Sequence, residues 1–522
     1  MHMRMILAFL MVMVLTGCKS NVQPPVDDRA PEIEPPNAAA SPYVSKFDAL
    51  AANQLGSFVE SVRQTFKIPG IAIGIIDHGQ IVYREGFGVT DLEAGKPVTT
   101  QTLFSLGHAT RVFSGFMMAE LAHEGVFRWD APLIDLMPEF ETSSQELTQQ
   151  LTVADALCDC AGLFGSLMAS YFTYESDNYQ KAVARIRRFP FKPADSRTTP
   201  SQTQRSRNNA LFSVGCYAAA KRQFPDLAVE EAFRHLMETK VFGPLDMQAT
   251  TYTPNQADIA QPHGVTLDEN VRKVAREENR QITRLEPAYG LWSNVDDVLR
   301  LLQAEISSQN PENLARREVK ALRDETRGLG IALRMQRRRE HMLLGYQNDH
   351  VGYAAMIFMI PEQQLAAVIL ANARFARFYL DLISAKILDI AFDQSSAPWL
   401  LEEATHKFRT AQETISRMLG KYWLITPDHA WYKPFLGNYH DDVLGRITIR
   451  DNGTDIILDV GEWQTRLGVR VDRSGTRSML FIDPPLAGMM LTPVYEKKKL
   501  KALELQEPQV TYMFVPETPN TK

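Results

Sequence analysis

The sequence predicts an α+β chain followed by a small antiparallel β-barrel, and three observations carry that expectation. Two strand-like runs, residues 71–76 and 80–84, flank the turn Asp77-His78-Gly79 near the start of the chain. Two mostly apolar runs, residues 353–361 and 365–372, return far downstream around Glu362-Gln363-Gln364, and a long helical middle separates the two pairs. Beyond Tyr432 the pattern changes to short strand-like segments with turns between them, such as Asp451-Asn452-Gly453. At 522 residues the chain exceeds the usual size of one core, so two folded domains are expected.

Taken in order, residues 1–18 read as a signal peptide. A short charged start, Met1-His2-Met3-Arg4, precedes an apolar run of about ten residues, too short to span a bilayer. Leu15-Thr16-Gly17-Cys18 then reads as a lipobox, which makes Cys18 the diacylated first residue of a bacterial lipoprotein. Residues 19–45 are polar and rich in Pro, Asp and Glu, the composition of a disordered tether. Lys19 after the lipidated cysteine points to the outer membrane, with the folded domains facing the periplasm.

The first folded domain is expected over 46–395. It opens with a helix over 46–66, followed by the 71–84 hairpin and then by Thr102-Leu103-Phe104-Ser105-Leu106-Gly107, His108-Ala109-Thr110-Arg111 and an apolar helix over 112–121. A connecting helix is expected within 396–430. Short strands at 436–439, 446–449, 455–460, 465–471 and 479–482 read as a small antiparallel barrel over 431–518.

These segments resemble the serine β-lactamase-like family of class C β-lactamases, esterases and DD-peptidases. Residues 86–91, 124–132, 136–140, 241–247 and the run Glu286-Pro287-Ala288-Tyr289-Gly290-Leu291-Trp292-Ser293-Asn294 carry the same likeness, which extends from about 46 to about 392. The resemblance implies an antiparallel sheet flanked by helices plus an all-helical region, and it makes the C-terminal barrel lipocalin-like.

The resemblance also implies a site, and every motif in it is altered. In the family the S-x-x-K motif supplies a serine nucleophile and a lysine that helps activate it. His108 and Arg111 stand in those places. Arginine stays protonated at any relevant pH and cannot accept the nucleophile's proton. The Y-x-N motif maps to Ser206-Arg207-Asn208, which keeps the asparagine and loses the tyrosine. A serine hydroxyl is too short and too weakly acidic to replace that proton shuttle. The K-T-G or H-x-G motif maps to Tyr346-Gln347-Asn348, where Asn348 in place of glycine narrows the cleft. Ala156-Leu157-Cys158-Asp159-Cys160-Ala161-Gly162-Leu163 keeps the frame of L-L-x-H-T-S-G-L without its polar centre.

The resemblance therefore implies a membrane-anchored pseudoenzyme with a binding or scaffolding role at the envelope. The alternative is a hydrolase of the same fold using a non-serine route, with His108 as base or Cys160 as nucleophile. Three readings of His108 stay open: a hydrogen-bonded packing residue, an anion contact shared with Arg111 and Asn208, or a general base. Cys160 is equally readable as a small buried or disulfide-linked cysteine, and Cys216 could bridge to Cys158 or Cys160 in an oxidising compartment.

Composition narrows the rest. The net charge of −6 gives no reason to expect nucleic-acid binding. Cys158-Asp159-Cys160 lacks a second matching pair, so no metal site is expected, and no cofactor. The partners expected are an anionic small molecule or peptidoglycan fragment, an envelope protein, and the membrane through the lipid. Arg334-Met335-Gln336-Arg337-Arg338-Arg339 reads as a solvated hairpin face.

Overall fold

The computed structural model describes residues 45–158, 168, 171–172, 178–187, 208–255, 259–275, 285–308, 332–338, 341–374, 377–507 and 510–517, without the side chains of 334–338 and 377. Cys18, the lipobox and nearly all of the tether lie outside these residues, as do Cys160 and Ser206. Among the described residues no helix is long and apolar enough to cross a membrane.

After Asp48 caps helix α1 (Ala49–Thr65), the chain forms the hairpin β1 (Gly70–Asp77) and β2 (Gln80–Gly88). On its other edge β1 pairs antiparallel with β10 (Leu365–Ala371), far downstream in sequence. β9 (Tyr353–Ile360), β8 (His341–His350) and β7 (Arg334–Arg338) complete a six-stranded antiparallel sheet of order β2-β1-β10-β9-β8-β7.

The central strands are apolar at nearly every position because helices cover both faces. Ile71, Ile73, Ile75, Met356, Phe358 and Ile369 pack on one side with α1 and α11 (Arg377–Ala391). Ala72, Ile76, Ile357, Met359, Val368 and Leu370 pack on the other with α2 (Thr110–His123) and α10 (Val295–Ser307). The two-residue period of a strand is thus present in which core each residue joins, although it is invisible in the hydrophobic pattern. α10 approaches so closely that a Cβ on Gly74 would lie 2.6 Å from Val295 Cγ1. The intervening helices α3 (Leu133–Leu136), α4 (Gln145–Gln150), α5 (Val153–Leu157), α6 (Tyr179–Ile186), α7 (Asn209–Gln223), α8 (Val229–Met237) and α9 (Glu286–Tyr289) build the helical region.

α12 (Ala397–Met418) leads to the second domain. There β15 (Gln464–Val471), β14 (Ile456–Asp459), β13 (Gly445–Asp451), β12 (Gly437–Asp441), β19 (Thr511–Pro516), β18 (Lys499–Gln506), β17 (Met490–Glu496) and β16 (Arg477–Phe481) pair in that order. β16 pairs back with β15, closing an eight-stranded antiparallel barrel filled by side chains such as Trp463, Phe481 and Phe514. The α+β sheet domain and the small C-terminal barrel expected from the sequence are both present.

The bridge from Cys216 that the sequence leaves open is not formed. Cys216 is a free, fully buried thiol on α7, while Cys158 is disulfide-bonded to a cysteine outside the described residues. α7 is enclosed along most of its length, so burial lifts the Cys216 thiol far above its ordinary range.

A hairpin, β4 (His263–Val265) with β5 (Val271–Lys273), joins the domains: Leu267 N donates to Ile482 O at 3.0 Å and Gln464 N to Ala275 O at 2.9 Å. His263 is fully buried there, with Nε2 3.8 Å from Asp91, which also pairs with Lys273. Burial holds its imidazole below the ordinary histidine range, against the opposing pull of Asp91. With the folded pKa below the unfolded one, His263 is neutral in both states above about pH 6.5 and contributes nothing there. As pH falls below that value the unfolded chain takes up a proton that the native state resists, and stability drops. Thermal melts from pH 7.5 to 5.5 should therefore show a falling Tm, with a shallower slope in His263→Asn; equal slopes would dismiss this histidine as the cause.

Candidate active site

The site lies where β3 (Phe104–Ser105), paired with β6 (Trp292–Ser293), gives way to α2. Gly107 makes the bend with φ +52°, and a Cβ there would fall 2.5 Å from both Asn348 Oδ1 and His350 Nδ1. One 3-10 turn, Gly107–Ala109, then presents His108 just before the helix.

Asn348 on β8 clips this bend from both sides. Its Oδ1 accepts from the His108 backbone N–H at 3.2 Å, and its Nδ2 donates to Leu106 O at 3.1 Å. His108, Arg111 and Asn348 are all buried, with only 1–2% of their surface exposed.

Asn209, the first residue of α7, links the two altered catalytic positions. Arg111 Nη2 donates to Asn209 Oδ1 at 2.9 Å, and Asn209 Nδ2 lies 3.1 Å from His108 Nε2. A guanidinium only donates, so the amide oxygen must face Arg111 and the amide nitrogen must face the histidine. Nε2 is then the acceptor, and the neutral ring carries its proton on Nδ1. Around this chain of contacts the Arg111 guanidinium carbon sits 4.4 Å from the Phe212 ring centre and 5.9 Å from that of Tyr346. Tyr289 meets the His108 ring edge-on at 4.7 Å.

The structure thus brings together four of the expected positions: His108, Arg111, Tyr346 and Asn348. It places a fifth, Asn208, at a helix cap. Asn208 is the buried N-cap of α7, its Oδ1 accepting from Leu211 N at 2.9 Å, and the asparagine that bonds His108 and Arg111 is Asn209. Ser206 and Cys160 lie outside the described residues.

Sequence reasoning also missed a Ser–His pair. Ser105 Oγ lies 2.9 Å from His350 Nε2, three residues before the position of the lost nucleophile. A hydroxyl hydrogen-bonded to an imidazole is half of an acyl-transfer machine. The other half is a set of donors aimed at the developing oxyanion, and in serine proteases the nucleophile's own backbone N–H is one of them. Here the N–H at the nucleophile position is already held by Asn348, and Ser105 and His350 are themselves buried. The pair reads as packing: His350 meets Tyr289 edge-on at 5.2 Å and stacks on Tyr353 at 5.5 Å.

α9, which carries Tyr289, is fixed by Glu286. The Glu286 carboxylate is almost fully buried and accepts three bonds from Arg234, Nε to each oxygen at 2.9 Å and Nη2 at 2.6 Å. Burial raises its pKa, with Arg234 opposing.

An antiparallel sheet between helical layers, with its altered motifs gathered at the start of a buried helix, defines a serine-hydrolase scaffold. The family profile described as Beta-lactamase matches residues 56–391, and the chain belongs to that beta-lactamase family. The Unguisins hydrolase ungD of Aspergillus violaceofuscus is 28% identical over 192 residues, 35% of this chain and 32% of that protein. Esterase EstB of Burkholderia gladioli is 26% identical over 326 residues, 56% of this chain and 81% of the esterase. A Beta-lactamase of Yersinia enterocolitica is 24% identical over 248 residues, 47% of this chain and 56% of that enzyme. This chain thus spans about a third of the fungal hydrolase and just over half of the Yersinia enzyme. Among solved structures, the octameric penicillin-binding protein homologue from Pyrococcus abyssi aligns with a TM-score of 0.54 at 16% identity, covering 88% of this chain and 99% of that one, a likeness of fold.

Proposed function

We propose that this member of the beta-lactamase family is a pseudoenzyme, held at the periplasmic face of a bacterial membrane, the outer one, by lipid on Cys18, with a binding or scaffolding role at the envelope. The hydrogen bond from the His108 N–H to Asn348 Oδ1 carries the reading, because it spends inside the protein a donor that acyl transfer would aim at its oxyanion. Arg111 in the lysine position supports it, since a permanent cation cannot take a nucleophile's proton. The hydrolytic alternative with His108 as base is disfavoured, because the Nε2 lone pair is turned to Asn209.

The natural ligand class is anionic, a small carboxylate or a peptidoglycan fragment, because Arg111 offers a planar fork of donors at every relevant pH. An envelope protein is the other class of partner. His108 and Arg111 are buried, so a small ligand reaches them only when the pocket opens.

Incubation with penicillins and with a fluorophosphonate, read by intact-protein mass spectrometry, should leave the mass unchanged. A stoichiometric adduct would overturn the reading. Cys18→Ser should move the protein from the membrane fraction to the soluble one, because two or more acyl chains are what stable anchoring requires. Retention of that variant through alkaline washing would remove the lipid anchor from the account.

A further inference from the structure

Part of what fills the barrel comes from the first domain. Met168, Tyr171 and Phe172 are buried within the barrel's apolar core, and the Phe172 ring lies 6.0 Å from Trp463 and 5.8 Å from Phe514. Trp463 Nε1 donates to Tyr171 O at 2.6 Å, and Met168 N donates to the Glu507 carboxylate at 3.2 Å. Tyr171 also reaches back, its hydroxyl donating to Asp349 O at 3.3 Å. Asp349 directly follows Asn348, and Val351, one residue beyond the end of that strand, is fully buried in the barrel core.

The barrel therefore grips the Asn348 strand twice, through Tyr171 and through Val351. We propose that this grip is a latch: with Tyr171, Phe172 and Val351 seated in the barrel, Asn348 stays on the His108 amide and the His108–Arg111 pocket stays shut, and loosening the grip opens it. The proposal rests on the reading of that pocket as the ligand site, whose access it regulates. Packed interfaces of this kind switch between discrete arrangements rather than deform smoothly. A ligand that needs the open form binds more weakly in proportion to how rarely that form occurs.

Cys216 is a built-in reporter, since it is free, fully buried and close enough to Arg111 to feel its charge. Its alkylation by iodoacetamide in the full-length protein, quantified on the Cys216 peptide, measures opening without any ligand. Phe172→Ala should speed alkylation by about tenfold or more, equivalent to about 1.4 kcal/mol of opening free energy. Trp463→Phe, which keeps most of the packing and removes the donor to Tyr171, should speed it severalfold and carries the test should Phe172→Ala not fold. Exchange of the His108 amide should rise in parallel. Val59→Ala, in the core on the far face of the sheet, controls for general loosening and should leave both rates near wild type. Unchanged alkylation in both barrel variants, or equal acceleration in Val59→Ala, would overturn the latch. Absence of anionic ligand binding would count against the ligand site alone, because the alkylation rates do not depend on it.

Discussion

Arg234→Ala is expected to lower stability by about 3 kcal/mol, because it leaves the Glu286 carboxylate buried without its charge partner. Arg234 is itself about half exposed, which favours the lower end of the range for broken buried pairs. The loss should depend on pH. Burial raises the folded pKa of Glu286 above its unfolded value, so the unfavourable contribution is absent at low pH and grows as pH rises through the unfolded pKa. Removing Arg234 widens that gap, so urea unfolding should show the largest deficit near pH 7 and a smaller one near pH 5. Adding Glu286→Gln to the variant should restore much of the stability at neutral pH. A deficit independent of pH, with no rescue, would mean that the arginine acts through packing. Since Tyr289 abuts His108, the same variant should also loosen the site.

Gly107→Ala is the second large effect. A residue with a Cβ at φ +52° carries left-handed strain of about 1 kcal/mol, and here its methyl would meet Asn348 and His350 at 2.5 Å, adding about 1–3 kcal/mol of overpacking. Gly79→Ala supplies the comparison, because Gly79 has φ +75° with nothing within 4 Å of the added carbon. Only the strain should appear there. A clear gap between the two in chemical denaturation, together with faster exchange of the His108 amide in Gly107→Ala, is the expected result; equal losses would remove the case for a tight clip at Asn348.

The strands fall near the expected places wherever the pattern survives burial. β1 and β2 extend slightly beyond residues 71–76 and 80–84, and the first five strands of the barrel, β12 to β16, each overlap an expected segment. β17, β18 and β19 carry a weaker signal. Pro493 interrupts the first, and Lys497, Lys498, Lys499 and Lys501 surround the turn into the second, so alternation is masked by solvent-facing charge. The short pairing of β3 with β6 leaves no period to detect at all. In the site, motif register located His108, Arg111, Tyr346 and Asn348. It could not tell two adjacent asparagines apart, because only the cap geometry makes Asn208 serve its own helix and turns Asn209 toward His108 and Arg111. Ser105 and His350 belong to no shared motif, and their contact exists only once β3 and β8 are brought together.

β1 lies inside the sheet, and its partner β10 joins it in the register Ile71↔Ala371, about 300 residues later in the chain. A chain delivered from its N-terminus cannot complete the sheet until nearly all of the first domain has emerged. Until then β1 presents apolar side chains on both faces, and its pairing edge toward β10 is open. Such long-range closure is slow and exposes the waiting strand to aggregation. Dilution of denatured chain at high concentration should accordingly favour precipitation over refolding, and adding a holding chaperone to the refolding mixture should raise the yield.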